Sequence, residues 1–480
     1  MRTLFHSRWL LALLLLAGGL PARATHLMGG DITYTALPAT AGVPRYHITV
    51  RLFNSDPQTA LSFDQTSVEL VASTGICGVG NASNFSLIIP RSQVSTSQTL
   101  SCATATLPYS YRVNLFEADV NLAPGPWTLS VVAGNRAADI QNITNAQLRS
   151  CYISTTLNSA LAPTNSSPAF LSSLLPYVCG NTIQRYNFSA FDADGDSLAY
   201  VMTPSQETPG GGSLLQCGSP VSGSLSPHFT INGQTGELTR TASNTQQGRF
   251  AMAARVYEYR RLGGGQWQLL GFVTRDIIYL AYFGTNQPPT FTNLTVNSAA
   301  QALDQPITAQ AGQTLQLVLT ATDPDAGQLL RFASGAPGVV PGLSVTALNG
   351  TQVSMVWQVP ATLPPGRYSI PVAVLDNGCP YNASEDRTLV IAVGSRALAT
   401  QPASPERSTA YPVPFREQVQ FTAAPGQVVI VVDALGREVT RLQAASDGRV
   451  QWQPTAGLPA GFYLARSLDG RALAHLLRAE

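Results

Sequence analysis

Apolar and polar side chains alternate with a period of two along much of this chain. Tyr46, Ile48, Val50 and Leu52 alternate with His47, Thr49 and Arg51. Leu315, Leu317 and Leu319 alternate with Gln316, Val318 and Thr320, and Tyr368, Ile370, Val372 and Val374 with Ser369, Pro371 and Ala373. Residues 111–115 and 127–132 read the same way. Successive side chains of a strand point to opposite faces, so the pattern predicts strands with one face buried. Residues 250–259 and 268–282 predict two longer strands around the turn Gly263-Gly264-Gly265, and no stretch beyond residue 24 holds a helical period. The expected fold class is all-β, a series of sandwiches of about 100 residues each. His47 falls on the solvated face of its strand, opposite Ile48 and Val50.

An internal repeat sets the expected boundaries. Asn165-Ser166-Ser167-Pro168-Ala169-Phe170 recurs as Asn286-Gln287-Pro288-Pro289-Thr290-Phe291. Each copy leads to an acidic loop, Asp192-Ala193-Asp194-Gly195-Asp196 in the first and Asp323-Pro324-Asp325 in the second, with a leucine six residues after the first aspartate. Reading the two Asn-Pro segments as linkers gives a first sandwich at 25–158, tandem modules at 160–285 and 286–394, a linker at 395–409 and a last domain at 410–480.

Composition narrows the chemistry. Glycine (40) and proline (33) are plentiful and charged residues make up 11%, which suits short strands and many turns. A net charge of +1 offers no field for nucleic acid or an anionic membrane. All 28 basic residues are arginine, which excludes a Schiff base, a P-loop lysine and a Lys-Asn cross-link. Arg2 and Arg8 precede an apolar run from Trp9 to Ala17, and Ala22-Arg23-Ala24 places small residues where a signal peptidase reads, so residues 1–24 are expected to be a signal peptide cleaved before Thr25. That run is too short to span a bilayer, and no membrane span is expected after cleavage. Six cysteines in an exported chain read as disulfides, and proximity suggests Cys77 with Cys102 and Cys179 with Cys217. Cys151 has no assigned partner, and Cys379 is open to a free thiol or a bridge to another domain. No C-x-x-C spacing and four scattered histidines after residue 24 argue against zinc.

Two resemblances extend this reading. The tail carries Tyr411-Pro412-Val413-Pro414-Phe415, a valine-rich run ending at Asp433 with Gly436-Arg437, then Leu458, Gly461 and Tyr463, and Gly470 near the end. That order resembles the type A C-terminal sorting domain of type IX secretion, with Val413 where asparagine is common. The resemblance implies a small β-sandwich, handling by the type IX secretion machinery, and an extracellular or outer-surface destination. The two repeats, with Phe229-Thr230-Ile231 leading to Thr235-Gly236-Glu237-Leu238 and with Ala373-Val374-Leu375-Asp376-Asn377-Gly378, resemble cadherin-type modules. Other Ig-like modules share parts of the pattern, so both remain open.

Asp192, Asp194 and Asp196, and in the second copy Asp323 and Asp325, are the candidate Ca²⁺ ligands, because calcium takes six to eight oxygens. A loop alone cannot complete that shell. The cadherin resemblance asks for an acidic linker and a separate glutamate, whereas the linkers here offer Asn165 and Asn286 and no L-D-R-E segment follows. Catalytic motifs are missing: no G-x-S-x-G, H-E-x-x-H or strand-borne G-x-G-x-x-G occurs, and the acid pairs Glu117 with Asp119 and Glu258 with Asp276 have no sequence feature that sets their separation. The expected function is a non-enzymatic, exported surface protein that binds glycans or proteins or acts as a spacer. The alternative is a carbohydrate-active enzyme or lectin with its site in 25–158.

Overall fold

A computed structural model describes residues 27–55, 65–74, 83–105, 109–172, 174–179, 182–208, 218–240, 246–261, 265–394, 410–468 and 472–479. Ala22 and Ala24, Cys77, Cys217, Gly470 and the expected linker 395–409 lie outside them. The described residues are strands and loops, with one three-residue 3-10 helix, Ala146–Leu148. The chain is all-β, as its periodicity predicts.

The first sheet runs through strands Leu27–Thr40, Val43–Ser55, Ser110–Asn121, Phe85–Val94, Ser67–Thr74, Pro126–Asn135, Ser150–Asn158, Trp267–Tyr282, Gly248–Arg261 and Ser197–Thr203. It returns on itself. Trp267–Tyr282 pairs with Ser150–Asn158 at Phe272↔Thr156 and with the first strand at Gly29↔Ile277 and Asp31↔Arg275. The enclosed core includes Ile32, Tyr46, Ile48, Val50, Leu70, Phe116, Leu129 and Ile153. His47 points away from that core, on the exposed face, as expected.

The boundary expected near residue 159 is therefore not a boundary. The first sandwich is closed by a strand that lies more than 100 residues downstream, and sequence periodicity carries no information about which strands pair. The first Asn-Pro segment is not a free linker either. Ser167 donates its backbone N–H to Tyr34 O at 2.8 Å and accepts Tyr34 N–H on Oγ at 2.9 Å, while Ser166 Oγ accepts from Ala36 N at 3.1 Å.

Residues 286–394 form a two-sheet sandwich. One sheet holds Ala299–Gln301, Thr290–Val296, Thr314–Thr322, Gln352–Gln358 and Leu343–Asn349; the other holds Ile307–Gln310, Ser384–Gly394, Gly366–Leu375 and Arg331–Ala333. Leu315, Leu317, Leu319, Trp357, Ile370, Val372 and Val374 fill it. Strand Gly366–Leu375 departs from the expected one-faced pattern, because its other face is buried too: Ala373 and Leu375 join Phe53, Tyr111, Tyr186 and Phe188 in a neighbouring core. Packing of the other strands against this sandwich covers the face that alternation assigns to solvent.

A disulfide crosses the same junction. Cys102 bonds Cys379, with Cα atoms 5.7 Å apart. The backbones on either side pair as well: Ser101 bridges Tyr381, Cys102 N–H donates to Pro380 O at 2.8 Å, and Asn382 N–H donates to Leu100 O at 3.1 Å. The expected Cys77–Cys102 pair is thereby corrected, since proximity in sequence gave way to a contact between residues 277 positions apart. Cys151 is a buried free thiol.

Residues 410–479 build a small sandwich of their own, in which Val419–Thr422 pairs Arg449–Trp452 and a four-stranded sheet runs Glu438–Gln443, Val428–Asp433, Gly461–Ser467, Ala472–Arg478. The tail motif residues are its framework. Phe415, Trp452 and Tyr463 pack in the core with ring centres 5.5 and 5.4 Å apart, the first pair tilted and the second edge-to-face. Asp433 Oδ1 accepts the N–H groups of Leu435 and Arg437, closing the turn in which Gly436 takes φ +77°. Tyr463 OH donates to Pro459 O at 2.6 Å, while Tyr411 stays exposed.

Candidate metal centre

The acidic loop of the first repeat leaves strand Ala190–Phe191 and enters Ser197–Thr203. Asp192 shapes it: its Oδ1 accepts the N–H groups of Asp194 and Asp196, each at 3.0 Å, and Gly195 takes the left-handed φ of +79° that the tight turn needs. Asp194 turns away to the Asn-Pro segment, where its Oδ2 accepts Ser166 N–H at 2.7 Å.

The third carboxylate comes from elsewhere. Phe250, Met252, Ala254, Val256 and Glu258 share the inner face of strand Gly248–Arg261, and Glu258 is fully buried at the end of that apolar row. Asp192, Asp196 and Glu258 bring carboxylate oxygens within 4.8 Å of one another. Among the described residues this is the one group of three that could hold a single ion. Asn165 Nδ2 donates to Glu258 Oε1 at 2.7 Å, but Glu258 Oε2 and Asp192 Oδ2 are buried with no hydrogen-bond partner.

Crowding acids in a dry site raises the proton affinity of the two buried ones, Asp192 and Glu258. Burial, followed by the neighbouring Asp196 and Asp194 charges and resisted by the loop N–H groups, pushes Asp192 up to about 7. Burial, then the Asp192 charge and the Asp196 carboxyl beside it, hold Glu258 well above the usual carboxylate range. Two orphaned acceptor oxygens facing a third carboxylate call for a cation or for protons. The donor set fits a hard, oxygen-seeking cation such as Ca²⁺.

The second repeat diverges. Asp325 Oδ2 accepts Gln287 N–H at 2.7 Å and Asp323 Oδ1 accepts Asp325 N–H at 2.7 Å, repeating the Asp194 and Asp192 contacts. Asn286 donates to Asp376 Oδ2 at 3.0 Å as Asn165 does to Glu258, but Asp376 Oδ1 is committed to the N–H groups of Gly378 and Ala383. Position 327, corresponding to Asp196, is glycine, and the amide of Gln328 enters the loop, donating to Asn286 Oδ1 at 2.6 Å.

Of the five acids expected to be ligands, the fold thus joins Asp192 and Asp196, gives Asp194 and Asp325 to their linkers, and leaves Asp323 without a third carboxylate. Glu258 is the residue that sequence reasoning placed elsewhere, in a pair with Asp276. The readable signal was its parity, an acid in register with four inward apolar residues. Asp276 takes other partners: Arg136 binds it through two nitrogens at 3.0 and 2.6 Å, and Ser205 donates to it at 3.1 Å. Glu117 and Asp119 lie on the exposed sheet face, where His47 meets Asp119 at 2.7 Å and Glu117 at 3.6 Å and Arg45 meets Asp119 at 2.6 Å.

No protein-family model matches the chain, and no curated protein does. Solved structures similar to it include titin domains Z1Z2 in complex with telethonin (16% identity, 49% of this chain and 100% of that one, TM-score 0.16). Others are Drosophila OTK extracellular domains 3–5 (9%, 65% and 98%, TM-score 0.14) and human protocadherin-24 EC1-2 (14%, 48% and 100%, TM-score 0.16). At such scores the architecture rests on the sheets described above.

Proposed function

We propose that this chain is an exported, non-enzymatic binding protein of the outer cell surface, and that a calcium ion in the Asp192–Asp196–Glu258 cage fixes the packing of its sandwiches. The carboxylate cage carries the reading. An acid cluster with two orphaned oxygens is costly to bury, and a bound cation offsets that cost only in the folded state. Because Glu258 sits beside Asn165, the ion would lock the acidic loop to the first Asn-Pro segment. The Cys102–Cys379 bridge supports an oxidising, extracellular setting. The tail supports type IX export through its sorting motif.

The test is a melt of the mature full chain after chelation, repeated with added Ca²⁺. The melting temperature should rise with the logarithm of free Ca²⁺. Glu258→Gln should abolish that rise, whereas Gln328→Ala, in the second loop, should leave it intact. No rise at millimolar Ca²⁺ would end the calcium reading.

A second reading, a lectin site in residues 25–158, draws support from an open hollow of about 350 Å³ lined by Phe85, Ser86, Leu87, Asp119, Val120 and Asn121. One aromatic and one acid are the kind of groups that stack on and hydrogen-bond a sugar ring. A glycan array would favour it if Phe85→Ala lost the signal.

A further inference from the structure

Where strand Gln184–Asn187 packs against Ser384–Gly394, four groups meet in an arrangement that neither the calcium cage nor the tail uses. Asn187 Nδ2 lies 2.5 Å from Thr388 Oγ1. Asn187 Oδ1 accepts the backbone N–H of Ser189 at 2.6 Å. Glu237, from the neighbouring strand Glu237–Arg240, accepts Thr388 N–H on Oε2 at 3.2 Å and also hydrogen-bonds the Thr388 side chain. Asn187 and Ser189 have no exposed surface and Thr388 is 7% exposed. A hydroxyl, a carboxamide and an N–H aimed at the carboxamide oxygen are therefore held together away from solvent, with a partly exposed carboxyl beside the hydroxyl.

We propose that Thr388 and Asn187 become joined by an intramolecular ester bond. Thr388 Oγ1 attacks Asn187 Cγ, and its proton passes to the Glu237 carboxylate. The Ser189 N–H faces the oxygen on which negative charge develops in the tetrahedral intermediate. Glu237 then returns the proton to the departing nitrogen. The Cγ–Nδ2 bond breaks as the Oγ1–Cγ bond forms, one ammonia leaves, and nothing is oxidised or reduced. A carboxamide is a poor electrophile, so the step depends on proximity: the reacting groups are fixed by two packed strands, and such fixing can supply much of a barrier. Burial, the largest influence on Glu237, raises its proton affinity, which suits a group that must take and return a proton. Arg185, 3.4 Å from Glu237 and 2.8 Å from Glu385, balances the local charge. The same burial protects the product from hydrolysis. In a chain without lysine, threonine is an available nucleophile for such a staple, and this one would tie residues 201 positions apart.

Intact mass spectrometry of the secreted chain, with disulfides reduced, tests this directly. The wild type should weigh about 17 Da less than its sequence requires, the mass of one ammonia, and a digest should contain the Asn187 and Thr388 peptides as one species. Thr388→Val and Glu237→Gln should restore the full mass, and Thr388→Ser should keep the deficit. A folded wild type of full mass would overturn the proposal. A deficit that persists in Thr388→Val would also overturn it, by showing that Asn187 cyclises on its own backbone. If neither variant folds, the wild-type digest alone decides: joined peptides support the ester, and separate peptides refute it.

Discussion

Asp386 is fully buried beside the acids Glu385 and Glu237, and its Oδ1 has no hydrogen-bond partner. Burial first, then those two charges, push its carboxyl up to about 8. The unfolded carboxyl titrates near 4, so between about pH 4 and 8 the folded chain binds the extra proton. Stability from this residue is complete below pH 4 and drains away as the pH rises through 8. Asp386→Asn, which keeps the shape without the charge, should raise the melting temperature over the wild type by more at pH 9 than at pH 5. Thermal melts at the two pH values check it, and equal melting at pH 9 would show Asp386 to be solvated. Cys151 follows the same physics: burial pushes its thiol up to about 12, which makes it a poor nucleophile.

At the scale of elements, the strand Leu27–Thr40 gives a structural reason for the Gly29-Gly30 pair in the sequence. The pair lies where the strand is hydrogen-bonded on both edges, to Val43–Ser55 and to Trp267–Tyr282. A Cβ on Gly29 would stand 1.9 Å from Asp276 O, and one on Gly30 would stand 2.3 Å from Arg51 O. Gly29 also takes φ +113°. The next residue, Asp31, is buried between Arg275 at 2.8 Å and Arg51 at 3.1 Å, pinning the crossing electrostatically. Gly29→Ala must push two paired backbones apart, and a loss on the order of 3 kcal/mol or more is expected. Chemical denaturation would measure it; a loss below about 1 kcal/mol would mean that the crossing is loose.

Across the whole molecule, residues 27–394 are sandwiches that share strands and are cross-linked, not beads on flexible linkers. Non-reducing peptide mapping should recover Cys102 joined to Cys379. Replacing both by serine should cost about 2 to 4 kcal/mol, because a long loop is then free in the unfolded chain. A map joining Cys102 to Cys77 would contradict the junction. The proposed sorting role of the tail is tested separately. A chain ending at Ser408 should keep its signal cleavage and stall in the periplasm, whereas the intact chain should appear outside with residues from about 410 onward removed; equal release of both forms would refute it.

Strand content, the inward rows Leu315-Leu317-Leu319 and Tyr46-Ile48-Val50-Leu52, and the framework residues of the tail were all legible in the sequence, because burial of alternate side chains and turn chemistry act over a few neighbouring positions. Two of the three cage acids were legible for the same reason, since Asp192 and Asp196 share one loop. Tertiary structure alone decided the rest. Glu258 reaches that loop from a strand more than 60 residues on, Trp267–Tyr282 closes the first sandwich, Cys379 finds Cys102, and Asn187 meets Thr388. Each is a pairing between strand edges or faces that many other strands could satisfy locally, and the choice among them is made by the summed burial of whole sheets, which no single segment encodes.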